Sequence, residues 1–337
     1  MRKLLINLPP ETFNCPLLKS RFDLLESKYE VRKGTFNSQE QLAEVMGWPE
    51  AVLMWAWPSL GDREFDIATN LKIVAQINTF RDTALTTLRR GVALSEARNA
   101  WSPSVSEMAL GLILSGLRKI SYYHTSLRLG QDDAKSGDWV SVFPTGINPL
   151  ERQLTGRTVG IVGFGGIGRR LAELLAPFRV KLLVHDPFLP SEVFAEHGAT
   201  SATVDEICGE CEVVVLCAAN TPEAEKTVTA RHVGMMRKDA VLVNVGRSML
   251  IDMDALAQRL ARGDLIAMLD VFDNEPLEAD SVFRTLPNTY LTPHRAGGIY
   301  ESLYRALDWL TDDLDAFFAG RERKYALTAE MMRCIAK

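Results

Sequence analysis

Three residues of this chain stand just beyond apolar runs of strand length, where side chains can meet a ligand. Arg247 follows Val241 to Gly246, Glu275 follows the run ending in Asp270-Val271, and His294 follows Tyr290-Leu291-Thr292-Pro293. In an open α/β sheet, ligands bind outside the carboxyl ends of the strands. A guanidinium clamps a carboxylate and polarises the adjacent carbonyl. An imidazole titrates near neutrality and takes or returns a hydroxyl proton. A carboxylate beside it orients the ring and stabilises its protonated form. Next to a nicotinamide, such a trio suffices to exchange hydride between a 2-hydroxy acid and a 2-oxo acid.

A place for the nicotinamide carrier lies upstream. Val159 to Gly168 reads as a strand running into a G-x-G-x-x-G turn and a helix start, with Gly163, Gly165, Gly166, Ile167 and Gly168 at the turn. Gly163 permits the tight turn, Gly165 lets the backbone approach a pyrophosphate, and Gly168 lets helix and strand pack closely. The helix start offers free N–H groups and a positive dipole end to the phosphates. Asp186 closes the next strand-like run, 18 residues after Gly168, where a carboxylate holds a ribose 2′-hydroxyl. An anionic side chain there repels a 2′-phosphate and no arginine directly follows it, so the expected cofactor is NAD rather than NADP.

The elements that position these residues follow from apolar periodicity. Up to about residue 100, short apolar runs (Lys3 to Leu8, Ala51 to Trp55, Leu71 to Ala75, Val92 to Leu94) alternate with helix-like stretches such as Gln39 to Met46 and Asp82 to Arg90. That alternation predicts a small α/β unit with a parallel sheet. Ser102 as N-cap with Pro103 after it starts a helix expected to reach Tyr122, apolar over most of its circumference. It is read either as lying between domains or subunits, or as the central helix of one large domain. Gly130 to Leu154 reads as a long loop with Trp139 and Phe143 as isolated anchors. Strand-like runs then recur at Thr158 to Val162, Val180 to His185, Val213 to Cys217, Val241 to Val245, Leu265 to Val271 and Thr289 to Thr292, with helices Ile167 to Leu175 and Met253 to Arg262 among them. This is the pattern of a doubly wound parallel sheet. A last helix, Tyr300 to Phe318, is placed to return over the first unit.

With these motifs in order, the chain resembles the D-isomer-specific 2-hydroxyacid dehydrogenase family over roughly Leu71 to Gly298, most strongly from Leu154 onward. The resemblance rests on Thr158 to Gly168, Val243-Asn244-Val245-Gly246-Arg247-Ser248, Leu269 to Leu277 and Thr292-Pro293-His294. It implies an α/β fold with a Rossmann-type doubly wound NAD-binding domain at 102–298. The other implied part is a smaller, discontinuous, flavodoxin-like substrate domain made of 1–101 and 299–337. It further implies Arg247 as substrate-binding arginine, His294 as acid/base, Glu275 as its partner, Asp270 as a ligand of the nicotinamide carboxamide, and a homodimer built around the Ser104 to Tyr122 helix. Two departures concern the site. The family's glycine-containing loop, whose backbone N–H groups receive the substrate carboxylate, is replaced by Ala75 to Asp82 without glycine. Backbone capture at Ile77 and Asn78, and substrate binding by Asn78 or Arg81 side chains, are both left open. Cys217, counted here among the cofactor contacts, stands where the family often has histidine, and Arg295 where an apolar residue is commoner. Trp55 and Trp57 are read as core packing before pocket walls.

Composition narrows the classes. The 337 residues are 47% hydrophobic and 24% charged with net charge −5, a globular chain without the basic stripe that nucleic acid requires. The densest apolar run, Met108 to Leu117, falls short of the ~20 residues of a membrane span. Met1 to Ile6, broken by Asn7 and Pro9-Pro10, reads as a first strand rather than a signal segment. Five scattered cysteines suit a reducing cytoplasm, and Cys208-Gly-Glu-Cys211 lacks the partners of a metal site. Asp312, Asp313 and Asp315 read as a solvated helix face. The expectation is an NAD-dependent enzyme acting on a small 2-oxo or 2-hydroxy acid. The alternatives are a formate-type dehydrogenase, against which Glu275 in place of glutamine argues, and an NAD(H)-sensing binding protein of corepressor type.

Overall fold

The computed structural model describes residues 1–335 apart from 56, 79 and 131–150, so most of the segment read as a long loop, with Trp139 and Phe143, lies outside the described residues. The chain forms two compact units, Met1–Trp101 with Ile299–Lys337, and Ser102–Gly298.

In the first unit, strands β1 (Arg2–Asn7), β2 (Tyr29–Gly34), β3 (Ala51–Met54), β4 (Ile73–Gln76) and β5 (Ala93–Glu96) make a parallel sheet in the order β2-β1-β3-β4-β5. This is the flavodoxin-type order. Successive side chains point to opposite faces. Leu4, Ile6, Leu53, Ile73 and Ala75 therefore join one core, shared with Leu307, Leu310 and Leu314 of the returning helix Tyr300–Phe318. Leu5, Val52, Met54 and Val74 join the other, with Leu42, Met46 and Phe65. Strand β2 has no apolar signature because it is an edge strand, Tyr-Glu-Val-Arg-Lys-Gly, whose charges blunt an exposed edge.

The acidic group on the returning helix is not uniformly solvated. Asp313 is buried and accepts hydrogen bonds from Ser95 Oγ (2.7 Å), Lys324 N (2.9 Å) and Tyr325 N (3.1 Å). Asp315 accepts one from Tyr29 Oη at 2.7 Å. Non-local donors make that face part of the packing.

The second unit carries β6 (Thr158–Val162), β7 (Lys181–His185), β8 (Ala199–Ser201), β9 (Val213–Leu216), β10 (Ala240–Asn244), β11 (Leu265–Leu269) and β12 (Thr289–Leu291). All pair in parallel, in the order β12-β11-β10-β9-β6-β7-β8. The order reverses between β6 and β9, the switch point at which doubly wound sheets bind ligands. Strand β8, an Ala-Thr-Ser edge strand, escapes the apolar pattern. The helix expected from Ser104 to Tyr122 is two helices, Ser102–Arg118 and Ile120–Arg128, separated at Lys119, whose φ of 51° lies in the left-handed region. The first packs on its own sheet: a Cβ on Gly116 would stand 2.8 Å from Val241 Cγ1 and 3.3 Å from Met268 Sδ. Only glycine allows that approach.

Strand β5 ends in Glu96, 8% exposed and 2.7 Å from the Arg98 guanidinium. Burial pushes its carboxyl from the ordinary 4.5 up to about 7, although the Arg98 charge opposes the shift. A carboxyl raised on folding contributes stability that is complete below its unfolded value and lost as pH rises through the folded one. The thermal midpoint of the wild type should therefore fall more between pH 4.5 and 7 than that of Glu96→Gln. Parallel pH dependences in the two proteins would contradict the assignment.

Candidate active site

The turn after β6 uses its glycines for different purposes. Gly163 has φ 94°, and a Cβ there would lie 2.4 Å from Ala218 N and Cα. A Cβ on Gly168 would lie 2.4 Å from the Gly163 carbonyl oxygen, so the first turn of helix Gly166–Leu175, which contains Ile167, rests directly on the glycine turn. Gly165, the N-cap, has nothing within 4 Å of its hypothetical Cβ, and no side chain caps the helix. The open approach and the uncapped N–H groups fit a dinucleotide pyrophosphate. Asp186, just after β7, accepts from Phe164 N (2.8 Å) and Phe188 N (3.0 Å), which ties that strand end to the glycine turn. Each oxygen keeps acceptor capacity for a ribose hydroxyl. Cys217 is buried under the turn, its thiol donating to the Gly163 carbonyl at 3.1 Å. Burial pushes that thiol up to about 12, so it contributes volume and a hydrogen bond, not charge.

Arg247, Glu275 and His294 follow β10, β11 and β12, three neighbouring strands, at their carboxyl ends. Adjacent strands run about 4.8 Å apart, so topology alone brings the three loops together. His294 Nδ1 lies 2.6 Å from Glu275 Oε2, while Glu275 Oε1 accepts the Phe272 N–H at 3.1 Å. Burial acts to raise the Glu275 carboxyl. The hydrogen bonds from His294 and the Phe272 N–H, with the charges of His294 and Arg247, outweigh it and hold the carboxyl below its ordinary value. The Glu275 carboxyl is therefore an anionic acceptor for the His294 ring at neutral pH. With Nδ1 donating to the carboxylate, Nε2 is the ring nitrogen left to exchange a proton with a ligand. Arg247 is exposed, its Nη1 donating to the Gly246 carbonyl at 2.7 Å.

Two buried polar side chains that the motif reading left without a positioning role support these loops. Asn244, at the end of β10, donates to the Arg247 carbonyl (2.9 Å) and accepts from Gly246 N (3.1 Å). Asp270, one residue beyond β11 and wholly buried, accepts from Thr292 Oγ1 (2.5 Å), Arg295 N (2.9 Å) and Ala296 N (2.8 Å). The signal for both was visible: a polar residue closing an otherwise apolar strand run. His294 between these contacts has φ 51°, a left-handed backbone that costs about 1–2 kcal/mol for a residue with a Cβ.

The first unit holds the other expected substrate residues. Ile77 is buried and its N–H donates to the Met54 carbonyl at 2.9 Å, so this amide extends the sheet instead of facing a ligand. The Asn78 side-chain oxygen accepts from Trp101 Nε1 at 2.6 Å, and Trp101 tilts against Trp55 at 6.0 Å. Trp55 is packed, as expected, whereas Trp57 is 41% exposed. Cys208 and Cys211 are buried free thiols, and no group of three or more metal-binding side chains occurs among the described residues. No helix among these is long and apolar enough to cross a membrane.

Residues 110–296 match the family description "D-isomer specific 2-hydroxyacid dehydrogenase, NAD binding domain". A glyoxylate/hydroxypyruvate reductase of Arabidopsis thaliana is 32% identical over 234 residues, 69% of this chain and 68% of that protein. A glyoxylate reductase of Pyrococcus furiosus is 27% identical over 88% of this chain and 89% of its own length. A D-3-phosphoglycerate dehydrogenase of Methanocaldococcus jannaschii is 27% identical over 85% of this chain, which spans only 53% of that longer protein. Among solved structures, an NADPH-dependent glyoxylate/hydroxypyruvate reductase of Sinorhizobium meliloti superimposes with a TM-score of 0.78 at 25% identity, covering 98% of each chain.

The glycines make separable predictions. Gly163→Ala should lower the thermal midpoint, because the new Cβ meets backbone atoms at 2.4 Å. Gly165→Ala should melt like the wild type yet bind dinucleotide about tenfold or more weakly, its Cβ entering the open approach. Equal dinucleotide affinity in Gly165→Ala, measured by fluorescence titration, would place the pyrophosphate elsewhere.

Proposed function

This chain belongs to the D-isomer-specific 2-hydroxyacid dehydrogenase family, nicotinamide-dependent oxidoreductases that interconvert 2-hydroxy and 2-oxo acids, and from that premise we propose that it reduces a small 2-oxo acid of the glyoxylate or hydroxypyruvate type, or a larger homologue, with NADH. The observation that carries this reading is the 2.6 Å contact of His294 with Glu275 at the strand edge where Arg247 also emerges. When bound, the dinucleotide supplies hydride from C4 of its reduced nicotinamide to C2 of the substrate. Arg247 holds the substrate carboxylate and polarises the C2 carbonyl. Protonated His294 gives its Nε2 proton to the oxygen that becomes the hydroxyl, and Glu275 keeps the ring oriented and balances its charge. Overall, 2-oxo acid, NADH and one proton give the 2-hydroxy acid and NAD.

The second unit is assigned as the cofactor domain, with Gly163, Gly165, Gly166, Ile167 and Gly168 toward the pyrophosphate and Asp186 toward the ribose. Asp186 supports NADH over NADPH because a carboxylate repels a 2′-phosphate. The first unit is assigned as the substrate domain. Asn78, whose amide is oriented by Trp101, is its better-supported ligand residue, since the Ile77 N–H is committed to Met54. We place the enzyme in the cytoplasm on the strength of its buried free thiols. We also read it as a homodimer, because Ile120 and Leu127 on helix Ile120–Arg128 are 56% and 55% exposed.

A panel of 2-oxo acids graded by side-chain size, assayed with NADH and with NADPH, tests the reaction. His294→Ala should lower kcat by about 10²–10⁴-fold, the usual contribution of a general acid. Turnover of no panel member above that variant would refute the enzyme, and equal use of NADPH would refute the ribose assignment. A monomer mass by sedimentation would remove the dimer.

A further inference from the structure

Resting on the reaction proposed above, we infer that Asp270 is the positioning residue of His294, acting on the backbone around it beside any contact with the nicotinamide amide. Its carboxylate is wholly buried and is bracketed by donors on both sides of the histidine: Thr292 Oγ1 at 2.5 Å two residues before, and Arg295 N at 2.9 Å and Ala296 N at 2.8 Å one and two residues after. Its own carbonyl oxygen accepts the His294 N–H at 2.8 Å. One residue of β11's exit thus holds the next strand's exit at four points, Thr292, His294, Arg295 and Ala296, and His294 among them takes the left-handed φ of 51°.

That conformation decides where the ring goes. The His294 side chain is 43% exposed, and the turn of the backbone and the Glu275 oxygen give it a direction. An ionised carboxylate offers about four acceptor positions and no donor, and three of these are already filled within the protein. An amide in its place would put a donor where a backbone N–H or the Thr292 hydroxyl now donates. The loop would then have to shift. A displacement of about 1 Å in a reacting group costs on the order of 10²-fold in rate.

Steady-state reduction of a panel substrate, NADH fluorescence titration and proton NMR of the histidine rings, compared in wild type and Asp270→Asn, separate the alternatives. The His294 resonance is assigned by its loss in His294→Asn. For Asp270→Asn, kcat at saturating NADH should fall about 100-fold. The NADH dissociation constant should stay within about threefold, and the His294 resonance should move while the other rings do not. Thr292→Val, which removes only one donor, should show the same pattern with a loss of about tenfold, and carries the test if Asp270→Asn does not fold. Unchanged kcat with NADH binding weakened about tenfold would make Asp270 a cofactor ligand alone and overturn the inference. So would an unmoved His294 resonance, a readout that stands even if the wild type turns over no 2-oxo acid and the proposed reaction itself fails.

Discussion

The hydrogen bond from His294 Nδ1 to Glu275 Oε2 is the contact on which the candidate site depends. It determines which ring nitrogen faces a ligand, and it supplies the charge that an imidazolium needs. His294 makes it from a left-handed backbone conformation. A hydrogen bond to a charged group is worth about 1.5–3 kcal/mol, against about 1–2 kcal/mol for the left-handed residue. The two are close enough that the bond alone would hold the loop only weakly. The additional hydrogen bonds to buried Asp270 shift the balance toward a single arrangement.

Those anchors reflect a general constraint on parallel sheets. Both faces are covered, so strands are apolar along their length. At the carboxyl ends, backbone groups leave the ladder and require other partners, because an unpaired buried N–H or C=O is costly. Asn7, Gln76, Glu96, Asn244 and Asp270 are the buried polar residues at or just beyond such ends. Three of them, Asn7, Asn244 and Asp270, bond to the backbone of loops that leave the sheet. The region where a ligand binds is therefore also the region where polar side chains are buried for structural reasons.

Much of this arrangement was legible beforehand. The runs at Thr158 to Val162 and Val213 to Leu216 are continuous apolar segments because their strands lie inside a covered sheet. The glycine turn announced itself through Gly163 and Gly168, which leave no room for a Cβ, and Gly165, where the absence of a side chain keeps the approach open. Strands β2 and β8 were not legible, since an edge strand needs little apolar surface. The break at Lys119 is carried by a left-handed lysine, a residue type that gives no turn signal in the sequence.

What the residues determine alone is local and periodic: alternation or continuity of apolar side chains, a turn that only glycine can make, and the identity of the chemically capable groups after each strand. What the tertiary structure decided is pairing across distance. Asp313 looked solvated until Ser95, Lys324 and Tyr325 supplied its donors, and the Ile77 amide looked available until Met54 accepted it. The physical reason is that burial and hydrogen-bond partnership depend on residues far apart in the chain, as Glu275 and His294 are by 19 positions, whereas periodicity depends only on neighbours.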